Sequence, residues 1–235
     1  MIVKLMTNES DSGILIRRAL HLFFAFVIMY YFFPPTLFGV PMYIYLVILV
    51  FILPLIIETI RLHTGKLFIG LHSHEANHIA SYLWFTTGAT ILILFFPQQI
   101  AAPCIVATAL GDPVIGLTKP FRRRFMVITT FLICLAVFLV FKYPILLAII
   151  AAGIAFIAES FEFKVRIRLR SNLFWSRSKH RFSNYKGLFD FLFRTDDDFM
   201  MQMIPAIILL IIFTVFPMLL PPEVLHTLPH LLPFA

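Results

Sequence analysis

Charged residues are scarce in this chain: Asp, Glu, Lys and Arg together make up 13% of its 235 residues, whereas hydrophobic residues make up 60%. A water-soluble domain carries about a quarter charged residues. With so few charges the chain cannot cover its exterior with polar groups, which excludes an ordinary soluble globular protein. We therefore expect lipid to be the solvent for most of its surface.

Cysteine is also rare, with only Cys104 and Cys134, and both lie in apolar runs. We expect buried free thiols at these positions and no disulfide. Residues 1–13 are polar and lack a small-residue cleavage site after an apolar run, so no cleavable signal peptide is expected. Internal repeats are lacking too, which favours a single transmembrane domain over residues 1–235.

Long apolar runs are plentiful. A helix needs about 20 mostly apolar residues to cross a bilayer. The runs that approach this length cover residues 15–33, 43–60, 78–96, 100–117, 125–141, 144–158 and 200–220. They predict an all-α fold, a polytopic membrane helix bundle of about seven spans, with the fourth span broken at Gly111, Asp112 and Pro113. The long polar segment at 160–199 is predicted to be a basic, aromatic cytoplasmic insertion.

Lys and Arg are distributed unevenly between the two sides of these spans. If the N-terminus is cytoplasmic, all of the 19 basic residues except Lys142 fall in cytoplasmic segments. This asymmetry follows the positive-inside rule and predicts a multi-pass integral membrane protein with a cytoplasmic N-terminus. The net charge of +7 is then a property of the topology, and no nucleic-acid partner is expected.

Carboxylates gather at the predicted cytoplasmic ends of the spans. They are Glu58, Glu75, Asp112, Glu159 and the run Asp196, Asp197 and Asp198. Ionisable groups at membrane depth are costly and usually functional. Glu58 and Arg61 are three residues apart on a helix, so an ion pair explains them as well as a substrate role does. A charge cluster at a helix N-terminus is the alternative for the aspartate run.

Basic residues follow the fourth span closely, at Lys119, Arg122, Arg123 and Arg124. Carboxylates that hold Mg²⁺, with cationic side chains nearby, are the usual apparatus for binding a nucleoside triphosphate. The chain contains no Walker lysine motif and no kinase glycine loop, which excludes the ordinary soluble kinase folds. The residues therefore favour a nucleoside triphosphate bound at the cytoplasmic face by a protein outside those folds.

Several segments, in the same order, resemble those of the polytopic CTP-dependent lipid kinases, the family of dolichol kinase, phytol kinase and the CTP-dependent diacylglycerol kinases. They are Arg-Arg-Ala-Leu-His at 17–21, the connection from Glu58 through Glu75 to Gly88, Ala-Leu-Gly-Asp-Pro at 109–113, and Glu159 followed by Asp196-Asp197-Asp198-Phe199 and Ile204-Pro205. The chain departs from the family at 119–125, where Lys-Pro-Phe-Arg-Arg-Arg-Phe replaces a Lys-Ser-x-Glu-Gly-Ser-like motif, and in the length of its insertion.

The resemblance implies transfer of the γ-phosphate of CTP, with Mg²⁺, to the hydroxyl of a membrane lipid alcohol, either polyprenol- or phytol-like or a diacylglycerol. The residues implied as catalytic are Asp112, Glu75 and Glu159. The implied magnesium ligands are Asp112, Asp196, Asp197 and Asp198. The implied nucleotide-binding residues are Arg18, Gly111, Lys119, Arg122, Arg123 and Arg124. His21 is a weaker candidate for the group that receives the proton of the lipid hydroxyl.

A competing motif indicates different chemistry. His74-Glu75-Ala76-Asn77-His78 is an H-E-x-x-H sequence, whose histidines share a helix face and suit Zn²⁺, with Glu75 as general base. With Glu159 as third ligand, the chain would be a membrane-embedded zinc metalloprotease. A lipid cytidylyltransferase or a catalytically silent relative of the lipid kinases would also agree with the sequence.

The insertion carries a pattern of its own. Residues 164–170 alternate basic and apolar, which predicts a strand. The interpretations are a membrane-surface flap held by anionic headgroups, a lid over the triphosphate, or an RNA-binding segment.

Overall fold

Helices account for almost all of the described backbone. The computed structural model describes residue 19 and residues 22–65, 79–118, 123–160 and 197–221. In chain order the helices are the 3₁₀ helix Ala25–Phe32, α1 Met42–Thr64, α2 Ser81–Phe95, α3 Gln98–Thr118, α4 Arg123–Val140, α5 Ile145–Ser160, α6 Asp197–Val215 and the short 3₁₀ helix Pro217–Leu219. The all-α prediction is confirmed, and each predicted apolar run contains a helix.

Helix α1 is irregular in its middle. Its residues Val47–Ile52 form π-helical turns, which widen the helix just before Pro54, a residue that has no backbone N–H to donate. The helix ends at Gly65, whose φ of 64° is left-handed and whose N–H donates to the Arg61 carbonyl at 2.9 Å. Glycine adopts this conformation without strain, so it ends the helix sharply.

A small β-ribbon connects the first 3₁₀ helix to α1. Its strands β1 (Thr36–Leu37) and β2 (Val40–Pro41) are antiparallel and are the only strands in the described part of the chain. Phe38 and Gly39 form the turn with φ values of 51° and 78°. Two successive positive φ values give the turn a twist that matches the strands.

The predicted break in the fourth span is wrong, because α3 runs without interruption from Gln98 to Thr118 and contains both Pro103 and Pro113. A proline inside a helix leaves the carbonyl four residues earlier without its helical donor. Such a helix persists when its neighbours satisfy the freed group. At Pro103 that carbonyl belongs to Gln99, and the hydroxyl of Tyr143 donates to it at 2.7 Å.

Helix α3 is the centre of the bundle. It packs against α2, α4, α6 and the first 3₁₀ helix, and none of its described side chains is an exposed large hydrophobic. Helix α6 packs against α2, α3 and α5. The buried face of α5 consists mainly of alanines, at 148, 151, 152 and 155, and small residues let neighbouring helices approach closely. Helix α1 lies at the periphery, with α2 as its main neighbour among the helices.

Two sets of contacts establish how the helices run. Gly111 of α3 meets Met201 of α6, whereas Tyr143 contacts both Gln99, near the start of α3, and Phe213, near the end of α6. Helices α3 and α6 are therefore antiparallel. Helix α2 runs parallel to α6, because its residues 84–88 contact residues 199–202. The end of the bundle where α2, α4 and α6 begin is named the acidic end below.

The exterior of the bundle is apolar. Large hydrophobic side chains are exposed on α1, α4, α5 and α6, so that α5 is apolar on its outer as well as its inner face. By length and composition, α1 is the one described helix that suffices to cross a membrane. Shorter apolar helices cover Leu22–Phe32, Ser81–Phe95, Ile128–Val140, Ile145–Ala158 and Phe199–Val215. Both cysteines are buried and neither is part of a disulfide, as predicted.

Candidate functional site

An ion pair is buried where α1 meets α2. The Arg61 guanidinium donates through Nε to Glu58 Oε2 and through its terminal nitrogen to Oε1, both at 2.7 Å. The backbone N–H of Ala80 donates to Oε1 at 2.8 Å, and the Tyr82 hydroxyl donates to Oε2 at 2.7 Å. Both charged residues are almost completely buried, with 2% of Glu58 and 1% of Arg61 exposed.

These bonds give Glu58 a structural task. A carboxylate has about four acceptor sites, and Glu58 uses all of them for Arg61, Ala80 and Tyr82. The bonds join the last turns of α1 to residues at the start of α2, which are more than a dozen residues later in the sequence. The interpretation of Glu58 and Arg61 as an ion pair therefore agrees with the structure, and the substrate role for Glu58 loses its support.

Helix α6 approaches its neighbours most closely at two glycines. A Cβ atom added at Gly111 would lie 2.5 Å from Cε of Met201. One added at Gly88 would lie 2.5 Å from Oε1 of Gln202 and 3.3 Å from Cδ2 of Phe199. Contacts of 2.5 Å are too short for carbon, so a side chain at either glycine would displace the end of the Met201 or Gln202 side chain.

This packing brings acidic segments of separate helices together. Asp112 directly follows Gly111 and is half-buried. Asp197 and Asp198 begin α6, four residues before Met201 and Gln202. Four residues of helix correspond to a rise of about 6 Å. The backbone that carries Asp112 therefore lies beside the first turns of the helix that carries Asp197 and Asp198.

Other predicted site residues lie at the same end of the bundle. Glu159 is in the last turn of α5, which starts beside Tyr143 and runs back toward the acidic end. Arg123 and Arg124 begin α4. Their side chains are outside the described part, as are those of Asp197 and Asp198. Lys142 lies at the opposite end, in the turn before α5, with a φ of 61°.

The remaining predicted residues lie outside the described ranges. They are Arg18, His21, His74, Glu75, His78, Lys119, Arg122, Asp196 and the predicted strand at 164–170. Within the described ranges, no group of three or more His, Cys, Asp or Glu residues is placed to hold a metal ion. The magnesium and zinc sites therefore both stay predictions.

Two polar residues near the site were missed in the sequence. Gln202 is fully buried, and its Nε2 donates to the Phe85 carbonyl at 3.3 Å. The sequence could have indicated Gln202, because it is a polar residue inside the apolar run 200–220 and polar groups in such runs usually have a function. Tyr82 gave no such signal, because its bond to Glu58 depends on how α1 and α2 pack.

Comparison with known proteins adds no relative. No protein-family model, no curated protein and no solved structure matches the chain. The resemblance to the lipid kinases rests on the sequence motifs alone.

Proposed function

We propose first that the chain is a multi-pass integral membrane protein of about seven spans, with its N-terminus and its acidic end on the cytoplasmic side. The support is the apolar exterior: α5 exposes Ile145, Leu146, Ile149 and Ile150 while its opposite face packs in the core. A helix that is apolar all round is typical of a membrane span. The basic residues supply the orientation through the positive-inside rule.

We propose further that the protein is a lipid kinase, which transfers the γ-phosphate of a nucleoside triphosphate, CTP by resemblance, to the hydroxyl of a membrane lipid alcohol. The observation that carries this proposal is the contact of Gly111 with Met201, which brings Asp112 beside the first turns of α6. Aspartates carried by two helices at the same end of an apolar bundle suit a polar ligand that approaches from the cytoplasm.

The donor set fits a magnesium ion. Asp112, Asp196, Asp197 and Asp198 offer carboxylate oxygens, the ligands that this hard cation prefers. When bound, Mg²⁺ neutralises the charge of the phosphates. Basic side chains of the protein would also neutralise the phosphates. Arg123 and Arg124 begin α4 at the acidic end. The rest of the proposed phosphate-binding set consists of Lys119, Arg122 and Arg18.

The acceptor needs a second group, which takes the proton of the lipid hydroxyl as that oxygen attacks the γ-phosphorus. Glu75 or Asp112 performs this step in the proposal, and Glu159 completes the catalytic set. The tail of the alcohol stays in the bilayer while its hydroxyl reaches the acidic end. Polyprenol-like alcohols, phytol-like alcohols and diacylglycerols all satisfy this requirement, because each has one hydroxyl next to a long apolar part.

The test is a panel assay of the protein purified in detergent. CTP and ATP labelled at the γ-phosphate are supplied with Mg²⁺ and with each class of lipid alcohol, and labelled lipid is extracted. We expect transfer from CTP to at least one alcohol. Label that remains in nucleotide and inorganic phosphate for every pair would refute the kinase proposal.

Two further measurements separate the kinase from the competing functions. Asp112→Asn should reduce transfer about a hundredfold or more without loss of folding. Glu223→Gln should leave transfer unchanged, because Glu223 follows the last of seven predicted spans and so lies on the side opposite a cytoplasmic N-terminus. Zinc analysis of the same preparation tests the metalloprotease. About one zinc per chain, lost in His74→Ala, would favour the protease over the kinase.

A further inference from the structure

The amide of Gln202 is only half satisfied. The side chain is fully buried, and its nitrogen donates to the carbonyl of Phe85, while its oxygen Oε1 receives no hydrogen bond in the described part of the chain. Burying a carbonyl oxygen without a donor lowers stability, because water would otherwise bond to it. An unpaired acceptor at this depth therefore calls for a donor supplied from outside the described chain.

Reversing the amide does not remove the problem. With nitrogen and oxygen exchanged, the side-chain oxygen would face the Phe85 carbonyl oxygen, and two acceptors would meet without a hydrogen between them. The amide nitrogen would then be left beside Gly88 without an acceptor. The hydrogen bond to Phe85 therefore fixes Oε1 as the free acceptor, and it lies against the bare Cα of Gly88.

This acceptor has a definite position relative to the candidate site. Gln202 is one helical turn deeper than Asp198 and adjoins Met201, the residue that contacts Gly111. It therefore lies between the acidic end and the apolar interior. The half-buried rings of Trp84 and Phe199, in edge contact with centroids 5.8 Å apart, lie beside it where α2 meets α6.

We infer that Oε1 of Gln202 accepts a hydrogen bond from the hydroxyl of an amphiphile that has an apolar tail and enters between α2 and α6. The inference deepens the proposed kinase, on which it rests: Gln202 holds the lipid hydroxyl below Asp198 in the bound state. Because that hydroxyl has a single hydrogen, it turns from Gln202 to the carboxylate that takes the proton when transfer begins. The ligand separates the rings of Trp84 and Phe199, and its tail lies along apolar residues of the two helices. An ether oxygen carries no hydrogen and therefore cannot donate a hydrogen bond to Oε1 of Gln202.

The first experiment uses the unaltered protein and no nucleotide. A long-chain alcohol with a diazirine next to its hydroxyl-bearing carbon is photolysed with the protein in detergent, and the labelled peptides are identified. We expect label around Gly88 and Gln202, and competition by unlabelled alcohol about tenfold stronger than by its methyl ether, the ratio that about one hydrogen bond supplies. Label confined to outward residues such as Ile207 and Ile211, or equal competition by the ether, would overturn the inference.

The second experiment removes the acceptor. Gln202→Met keeps the length of the side chain without the amide, and it should abolish the preference for alcohol over ether in the competition assay. Thr214→Val removes an exposed hydroxyl from the same helix, where Thr214 bonds only to its own helix, and should leave the preference intact. A preference that survives Gln202→Met contradicts the inference, since the amide would then serve only to join α2 and α6.

The two proposals fail separately. Site-specific labelling without any phosphoryl transfer would retain this inference and end the kinase. Phosphoryl transfer to the lipid alcohol, together with an alcohol preference that Gln202→Met leaves unchanged, would retain the kinase and end this inference.

Discussion

The hydroxyl of Tyr143 donates a 2.7 Å hydrogen bond to the carbonyl of Gln99, the group that Pro103 deprives of its helical donor. The tyrosine therefore repairs the backbone of α3 from the turn between α4 and α5. Burial raises the pKa of the Tyr143 phenol, with a smaller contribution from Cys104, so the hydroxyl stays protonated at neutral and mildly alkaline pH.

Tyr143→Phe should lower the free energy of unfolding by about 1–3 kcal/mol, because it removes the hydroxyl that donates to the partly buried carbonyl of Gln99. The ring contacts with Phe138 and Phe213 remain possible for phenylalanine. In a Pro103→Ala background the new N–H can bond to Gln99, so the same substitution should cost less. Unfolding of all four proteins in detergent gives this comparison as a double-mutant cycle.

A matched tyrosine provides the control for that cycle. Tyr45 donates to the carbonyl of Leu37 at 3.1 Å, a bond that involves neither α3 nor Pro103. Tyr45→Phe should have the same effect with and without Pro103→Ala. If Pro103→Ala leaves the cost of Tyr143→Phe unchanged, the proposed repair of the helix is incorrect.

Glu58→Ala should be strongly destabilising, by about 3–5 kcal/mol, because it leaves Arg61 charged and buried without this partner. Tyr82→Phe removes one bond to the carboxylate and should cost about 1.5–3 kcal/mol. Thr59→Ala, an exposed neighbour whose hydroxyl bonds within its own helix, is the control and should cost little. Equal stabilities for Glu58→Ala and Thr59→Ala would argue against the buried network.

Gly111→Ala should lower stability by about 1–3 kcal/mol, because the added methyl group meets the end of the buried Met201 side chain, which must take another position in a packed core. Any phosphoryl transfer should fall by more than the loss of folded protein explains, since Asp112 would shift relative to the start of α6. Adding Met201→Ala to the Gly111→Ala protein removes the side chain that the methyl group meets. The double variant should therefore regain part of the stability and part of the phosphoryl transfer.

Gly153→Ala is the control for that substitution. Nothing lies within 4 Å of a Cβ added at Gly153, which is also within a helix. This substitution should therefore be neutral or stabilising, by up to about 1 kcal/mol, because alanine favours the helix. If Gly111→Ala and Gly153→Ala change stability by the same amount, the contact between Gly111 and Met201 does not contribute to stability.

Removal of divalent cations with a chelator should abolish the proposed phosphoryl transfer, and added Mg²⁺ should restore it. Asp112→Asn should reduce turnover about a hundredfold or more, the order expected when an electrostatic group of a phosphotransferase is lost. The dependence of the remaining activity on Mg²⁺ should shift to higher concentration. Full activity of Asp112→Asn at the wild-type Mg²⁺ requirement would remove this residue from the proposed metal site.

Local sequence patterns predicted the helices but not all of their details. Seven apolar runs each contain a helix, because apolar residues in long runs favour helices whichever surroundings they face. Gly-Asp-Pro at 111–113 was expected to break α3, yet the helix continues, because its enclosure by neighbouring helices outweighs the lost hydrogen bond. The turn at Phe38 and Gly39 was not predicted, since phenylalanine rarely adopts a positive φ.

The candidate site was predictable where it depends on spacing along one helix. Glu58 and Arg61 are three residues apart, so their ion pair could be anticipated. The bond from Tyr82 and the contact of Gln202 with Gly88 join different helices, and no pattern within either helix specifies them. The meeting of Asp112 with the start of α6 was expected from topology, although Gly111 as the residue that permits it was not.

Helix α5 ends at Ser160 and α6 begins at Asp197, and both of these helix ends lie at the acidic end of the bundle. The position of α6 is held by its contacts with α2, α3 and α5. We therefore expect these contacts to hold α6 in place without a covalent link to α5. Two separately encoded fragments, divided between Ser160 and Asp197, should find each other when co-expressed, which makes this position a natural site for split-protein complementation.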